Sequence, residues 1–343
     1  MSATVAAGTS WPTERIRRLR GYAAAFGRVA LIAVTVFLFA TVLTFGLGAL
    51  SGANPAAAVL GETATPEDIA RMNHQFGLDL PLWQQYLNWL GNALQGDLGV
   101  SWFTTVPVTD SIRAALPVDL SIAGLALLLA VVFGVTGGVA AALSNGGVVD
   151  RTVTLLCSIV ATMPPFVIGI GLIVLFSVQL EWLPSGGYVP ISQSPVEWLR
   201  FAILPALALS VDAAGGLARQ LRTSLVGALR ENYATGAEMR GFSRRRVLFG
   251  HVLRNASGPA LAVLGLAVPT IIGGAVIAEK LFNLPGIAQL ALQSAEQGDV
   301  PVILGTLLVT VIVVLIASTV VNVIQTALNP VARRPRNPQG GTS

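Results

Sequence analysis

Six apolar runs of about 20 residues or more set the terms for this chain, because each is long enough to cross a hydrocarbon core of about 30 Å as a helix. They occupy 29–50, 116–143, 152–179, 201–226, 259–278 and 302–328. Backbone amides inside hydrocarbon must find partners within their own segment, so runs of this length form helices. The fold class that follows is an all-α integral membrane protein with six transmembrane helices. Composition agrees: 53% of the 343 residues are hydrophobic and only 11% are charged. Cys157 is the single cysteine and lies inside an apolar run, so it reads as a small buried hydrophobe.

Charge sorts the two sides. An even number of spans puts both termini on one face. That face receives the arm with Arg15, Arg17, Arg18, Arg20 and Arg28, the turn with Arg151, the eight arginines from Arg219 to Arg254, and Arg333, Arg334 and Arg336. The other face receives Arg71, Arg113, Arg200 and Lys280. By the positive-inside rule the termini are expected in the cytoplasm. The chain then divides into a cytoplasmic basic arm (1–28), a first transmembrane helix (29–50) and an extracytoplasmic segment (51–112). A five-helix core (113–330) with a cytoplasmic loop at 230–258 follows, and then a cytoplasmic tail (331–343). The first run is too long for the core of a signal peptide, about 7–15 residues, so it is expected to be retained.

Local signals fill in the loops. Thr65-Pro66-Glu67-Asp68 offers an N-cap, a proline at the first helical position and first-turn acids, with a stop at Gly77. A second helix over 81–95 carries Trp83, Tyr86 and Trp89, and suits either a membrane-surface helix or a small packed subdomain. Pro164 and Pro165 should kink the third span, and Gly169 and Gly171 should permit close helix approach.

The loop at 230–258 has structure of its own. It holds Arg230, Arg240, Arg244, Arg245, Arg246 and Arg254, too many charges for hydrocarbon. Glu231 or Asn232 can cap a short helix through about Arg240, and Gly241 supplies the left-handed position that ends it. Ser243 can cap a second helix with Val247, Leu248, His251 and Val252 on one face. The spacing alone fits either a rigid knob of two short helices, with Pro259 opening the next span, or an ordinary solvated loop whose arginines only fix topology.

This knob resembles the EAA loop of binding-protein-dependent ABC importer permeases. Gly236-Ala237-Glu238-Met239-Arg240-Gly241 fills the motif's place, Pro259 closes it, and Ser243–Val247 and His251–Asn255 match the oligopeptide and dipeptide type. Thr235 stands where the family has an acid, and Gly236 where it has its second alanine. The resemblance continues through Phe76-Gly77-Leu78-Asp79, Gly96-Asp97-Leu98-Gly99, Trp182-Leu183-Pro184, Phe282-Asn283-Leu284-Pro285-Gly286, Asp299-Val300-Pro301 and Asn329-Pro330. Together these cover nearly everything after residue 70, in the order of a first permease subunit.

The resemblance implies a type I importer permease in a bacterial cytoplasmic membrane, carrying peptides or a related small solute by alternating access. Implied partners are a second homologous permease, two cytoplasmic ATPase subunits that bind ATP-Mg, and an extracytoplasmic solute-binding protein. No nucleic acid and no cofactor of this chain's own are expected. ATPase coupling is expected at Tyr233, Ala234, Ala237, Glu238, Arg240, Gly241 and Phe242. The longest outer stretches carry many of the acids, so Glu67, Asp97, Gln293 and Asp299 are candidates for the outer gate and docking face.

The residues themselves argue against an enzyme. A phosphate-cradling loop needs Gly-Lys-Ser/Thr, and the one lysine lies in Ala278-Glu279-Lys280-Leu281. Asp212 is the acid nearest mid-membrane, where a carboxylate is costly. It is read either as part of the translocation path, with Met163 and Pro164 at the third-span break, or as a polar contact between helices, or as an acid displaced towards the interface. The rival class is a stand-alone secondary transporter or channel, which calls for several intramembrane charges or broken helices in repeated halves.

Overall fold

The computed structural model describes residues 11–50 and 54–328, so the start of the basic arm (1–10), Asn329-Pro330 and the tail 331–343 lie outside it. Helices account for most of the described chain, with one isolated β-bridge between Val100 and Pro107. Five helices are long and apolar enough to cross a membrane. They lie within α1 (Trp11–Leu50), α5 (Val108–Ser144), α8 (Pro195–Leu229), α11 (Leu253–Leu281) and α13 (Val300–Leu328). Between the first two run α2 (Pro55–Leu60), α3 (Pro66–Phe76) and α4 (Leu82–Leu94), and α12 (Ile287–Gln297) precedes α13.

The third expected span departs from a single kinked helix. It is split into α6 (Val148–Thr162) and α7 (Pro165–Leu172), the latter prolonged by a π-helical turn over Ile173–Gln179, and the axis bends by 109° between the two arms. The cause is local. Pro164 and Pro165 donate no amide hydrogen, and the residue before a proline avoids the helical region. Met163 accordingly has ψ 129, in the extended region. Counted as one bent element, this pair makes the sixth apolar span.

The bundle is built on α5 and α8, its most extensive helix pair. They approach closely because Gly134 and Gly138 face Leu217, Ala218 and Leu221, where any β-carbon would overlap a neighbour. Gly169 behaves likewise against Leu281, whereas Gly171 faces open space, so only the first of the two glycines singled out in the third span serves packing. Many large side chains point outward, among them Phe39, Leu128 and Ile316. In a membrane span such side chains meet lipid, so their exposure is what the bundle requires.

Outside the spans the local signals hold. Thr65 accepts a hydrogen bond from Asp68 N at 3.2 Å, and Gly77 closes α3 with φ 70. Trp83 of α4 is exposed, while Tyr86 shares a 2.9 Å hydrogen bond with Thr41 and stacks edge-on with Phe45. Trp89 lies 6.4 Å from Phe37. One aromatic face of α4 therefore packs on the apolar span of α1, while Trp83, Leu87 and Leu94 stay exposed on the other. Cys157 is a free, buried cysteine, as its apolar run suggests.

Candidate functional site

The knob consists of α9 (Asn232–Met239) and α10 (Arg244–Val247). Gly241 takes φ +85 between them, and Phe242 N donates to Ala237 O at 3.3 Å across the break. That bond closes a left-handed helix ending of the Schellman kind. The second helix does not stop before the membrane. A π-helical turn over Leu248–Val252 carries it directly into α11, so Pro259 lies inside a continuous helix instead of opening a new one.

Ala234 and Ala237 turn inward. They are 1% and 2% exposed and pack against Leu225 of α8 and Val247, Leu248 and Val252 below the break. Their small size is therefore required first by this chain's own spans. The outward face is presented by Tyr233, Met239, Arg240 and Phe242, with Met239 86% exposed. Arg240 Nε donates to Gly236 O at 3.1 Å, and the Arg246 guanidinium sits 5.0 Å from the Phe242 ring centroid. The side chain of Glu238 lies outside the described residues. Met239 is a member of this face that the motif does not single out, and helical phase is the one sequence signal for it.

Asp212 is exposed on α8, between buried Ser210 and buried Ala213. Among the described residues it has no ion pair and no hydrogen bond, so it does not hold two helices of this chain together. Met163 and Pro164 are also exposed, at the elbow between α6 and α7. Antiparallel packing of α6 on α8, marked by Arg219 donating to Cys157 O at 2.7 Å, directs that elbow towards the turn containing Asp212.

The outer candidates separate into two kinds. Glu67, Asp97 and Gln293 are exposed, and Asp97 accepts from Gly99 N at 2.9 Å. Asp299 is 2% exposed and is not available to a docking partner. It accepts from Ser101 Oγ at 2.5 Å and Trp102 N at 3.3 Å, pinning the outer segment to the start of α13.

Two further acidic sites escape any reading of the sequence. Asp150, 4% exposed in its side chain, is held by Arg222 across the α5–α6 turn. Asp119 and Glu279 converge beside the loop that leads into α12. Each of these acids lies in or beside a run that reads simply as apolar, and its partner is supplied by a distant helix.

A family model for the binding-protein-dependent transport system inner membrane component matches residues 134–334, which include the knob. The companion model for the N-terminal part of the same components matches residues 25–123. The chain belongs to this family. It is a multi-pass inner-membrane permease subunit of an ATP-binding-cassette importer. This permease is 35% identical over 297 residues to a probable peptide ABC transporter permease, y4tP, of Sinorhizobium fredii, covering 87% of this chain and 95% of that one. It is 34% identical to the di/tripeptide permease DppB of Pseudomonas aeruginosa, over 88% of this permease and 96% of the relative. A glutathione system permease of Escherichia coli, GsiC, is also 34% identical, over 88% and 94%. Among solved structures, the inward-facing MetNI methionine ABC transporter shares the fold, with a TM-score of 0.52 at 17% identity. That match covers 64% of this permease and 96% of the other chain. The family and its relatives favour the importer permease over a transporter working alone.

Proposed function

We propose that this permease forms, with a second homologous permease, the membrane path of an importer for peptides or closely related solutes. Two ATPase subunits drive it from the cytoplasm, and an extracytoplasmic binding protein delivers the solute. The termini, the knob and the α5–α6 turn face the cytoplasm, and residues 51–112 with α12 face outward. The knob carries the coupling: its buried alanines seat it on the spans, and Tyr233, Met239, Arg240 and Phe242 form the surface on which an ATPase can push. Closure of the ATPases rocks the spans through that seat, and Asp212 with Met163 and Pro164 faces the path between the two permeases.

The observation that carries this reading is a two-helix knob with an exposed face, joined without interruption to a membrane helix, within a chain about one-third identical to peptide permeases. The experiment is to express the chain with its partner subunits, isolate the binding protein and identify the bound solute by mass spectrometry. Short peptides are expected, and a metal chelate or a sugar there would move the substrate class elsewhere. Cysteines placed at Glu67, Asp97 and Gln293 should cross-link to the binding protein. Cross-links confined to cytoplasmic positions would reverse the assigned orientation.

A further inference from the structure

At the end of α11 opposite the knob, two acids lie against each other. The carboxyl groups of Asp119 of α5 and Glu279 of α11 lie side by side against Gly286. Both line a cavity of about 800 Å³ between α5, α11, α12 and α13. Asp119 Oδ2 accepts from Ile287 N at 2.9 Å, and Glu279 Oε2 accepts from Gln289 N at 2.6 Å. The pair therefore caps the first turn of α12. Gly286 lies so close that a β-carbon there would overlap both carboxyl groups. Glu279 is 2% exposed, and its Oε1 is shut away from solvent without a hydrogen-bond partner.

Two neighbouring carboxylates in an apolar setting repel strongly, and one proton between them removes the repulsion. The remaining single charge is met by two amide hydrogens and the positive end of α12. A second charge has nothing comparable. The residues lining the cavity from α5, α8, α11, α12 and α13 include no other titratable side chain. Lys280, beside Glu279, and Glu296, at the far end of α12, are both exposed. The Tyr188 hydroxyl, from the loop before α8, is shared with Ser121.

We infer that Asp119 and Glu279 are a positioning pair that holds one shared proton and thereby docks the first turn of α12 onto α5 and α11. The only bond that changes is O–H. When the proton passes to bulk water, the two carboxylates part and that end of α12 is released. The pair thus ties the α5–α8 core to the outer end of α11 in a proton-dependent way, whatever solute the importer carries.

The test is hydrogen–deuterium exchange on the purified complex with its ATPases, reading the α12 amides after correction for intrinsic rates. Raising the pH from about 6 to about 9 should lower protection at Ile287 and Gln289 by roughly tenfold or more in the wild type. Asp119→Asn and Glu279→Gln each replace one acid by a neutral amide, and either should make that protection independent of pH. Protection that does not change with pH in the wild type would overturn the inference without recourse to a variant. So would an unchanged pH step in whichever variant assembles. A merely structural contact would lower protection in the variants but leave no pH step to abolish.

Discussion

Arg222 grips Asp150 in a two-pronged fork. Nε donates to one carboxylate oxygen at 2.8 Å and Nη2 to the other at 2.7 Å, while Gly146 N adds a third bond of 2.7 Å. The fork joins the α5–α6 turn to α8. Its two members are unequal, since the side chain of Asp150 is 4% exposed and that of Arg222 is 35% exposed.

That inequality sets the order of effects. Arg222→Ala leaves a buried carboxylate without its counter-charge, whereas Asp150→Asn leaves a guanidinium that can still reach water. Arg222→Ala should lower the melting temperature of the purified permease more than Asp150→Asn, and Arg222→Lys should fall between them because it loses the fork. The double variant should cost less than the sum of the two. Equal and additive effects would show that the contact is incidental.

Gly241 tests the shape of the knob without touching its packing. Nothing lies within 4 Å of a β-carbon there, so a substitution acts only through φ +85. Gly241→Val should cost about 1–3 kcal/mol locally and re-aim α9 relative to α10. Gly241→Asn, which tolerates the left-handed region, should cost less. ATPase co-purification is expected to fall in the order wild type, Asn, Val, with membrane insertion unchanged throughout.

Ala237 and Met239 separate seating from coupling. Ala237 sits in a cluster with Leu225, Val247, Leu248 and Val252, all fully buried. Ala237→Leu overfills that cluster, a strain of about 1–3 kcal/mol. The variant should therefore lower knob stability even when no ATPase is present. Met239→Ala and Tyr233→Ala remove exposed side chains and should leave the melting temperature unchanged while weakening ATPase association several-fold. If Ala237→Leu were silent in the isolated permease, the alanine would owe its size to the partner alone.

Asp212 is exposed and makes no ion pair among the described residues. Asp212→Asn should keep the yield of the assembled complex and reduce solute uptake by about tenfold, because an unpaired acid in a membrane helix marks a water-filled path or a subunit contact. Loss of assembly with normal uptake per complex would assign it to the contact between permeases instead.

The spans and the ends of the short helices are readable in the sequence because those features are local. Thr65, Gly77 and Gly241 each act on residues within about one turn of themselves. Buried acids are another matter. Asp119 meets Ile287, Asp150 meets Arg222 and Asp299 meets Ser101 across 168, 72 and 198 positions, and no periodicity encodes those pairings. Asp299 therefore reads as a docking residue in the sequence, although it is a buried anchor. Ala237 reads as a partner contact because the motif marks it as small without saying what lies against it. The elbow at Met163 is half legible: paired prolines announce a break, but the 109° angle depends on how α7 packs onto α8 and α11.

The uninterrupted course from Arg244 to Leu281 makes α10, its π-helical turn and α11 a single tiller. At about 1.5 Å per residue its course is some 55 Å long, with Pro259 and Pro269 inside it. Glu279 sits at that tip. On the coupling proposed above, a push on the knob that Ala237 seats would travel along one helix to the contact between Glu279 and Asp119.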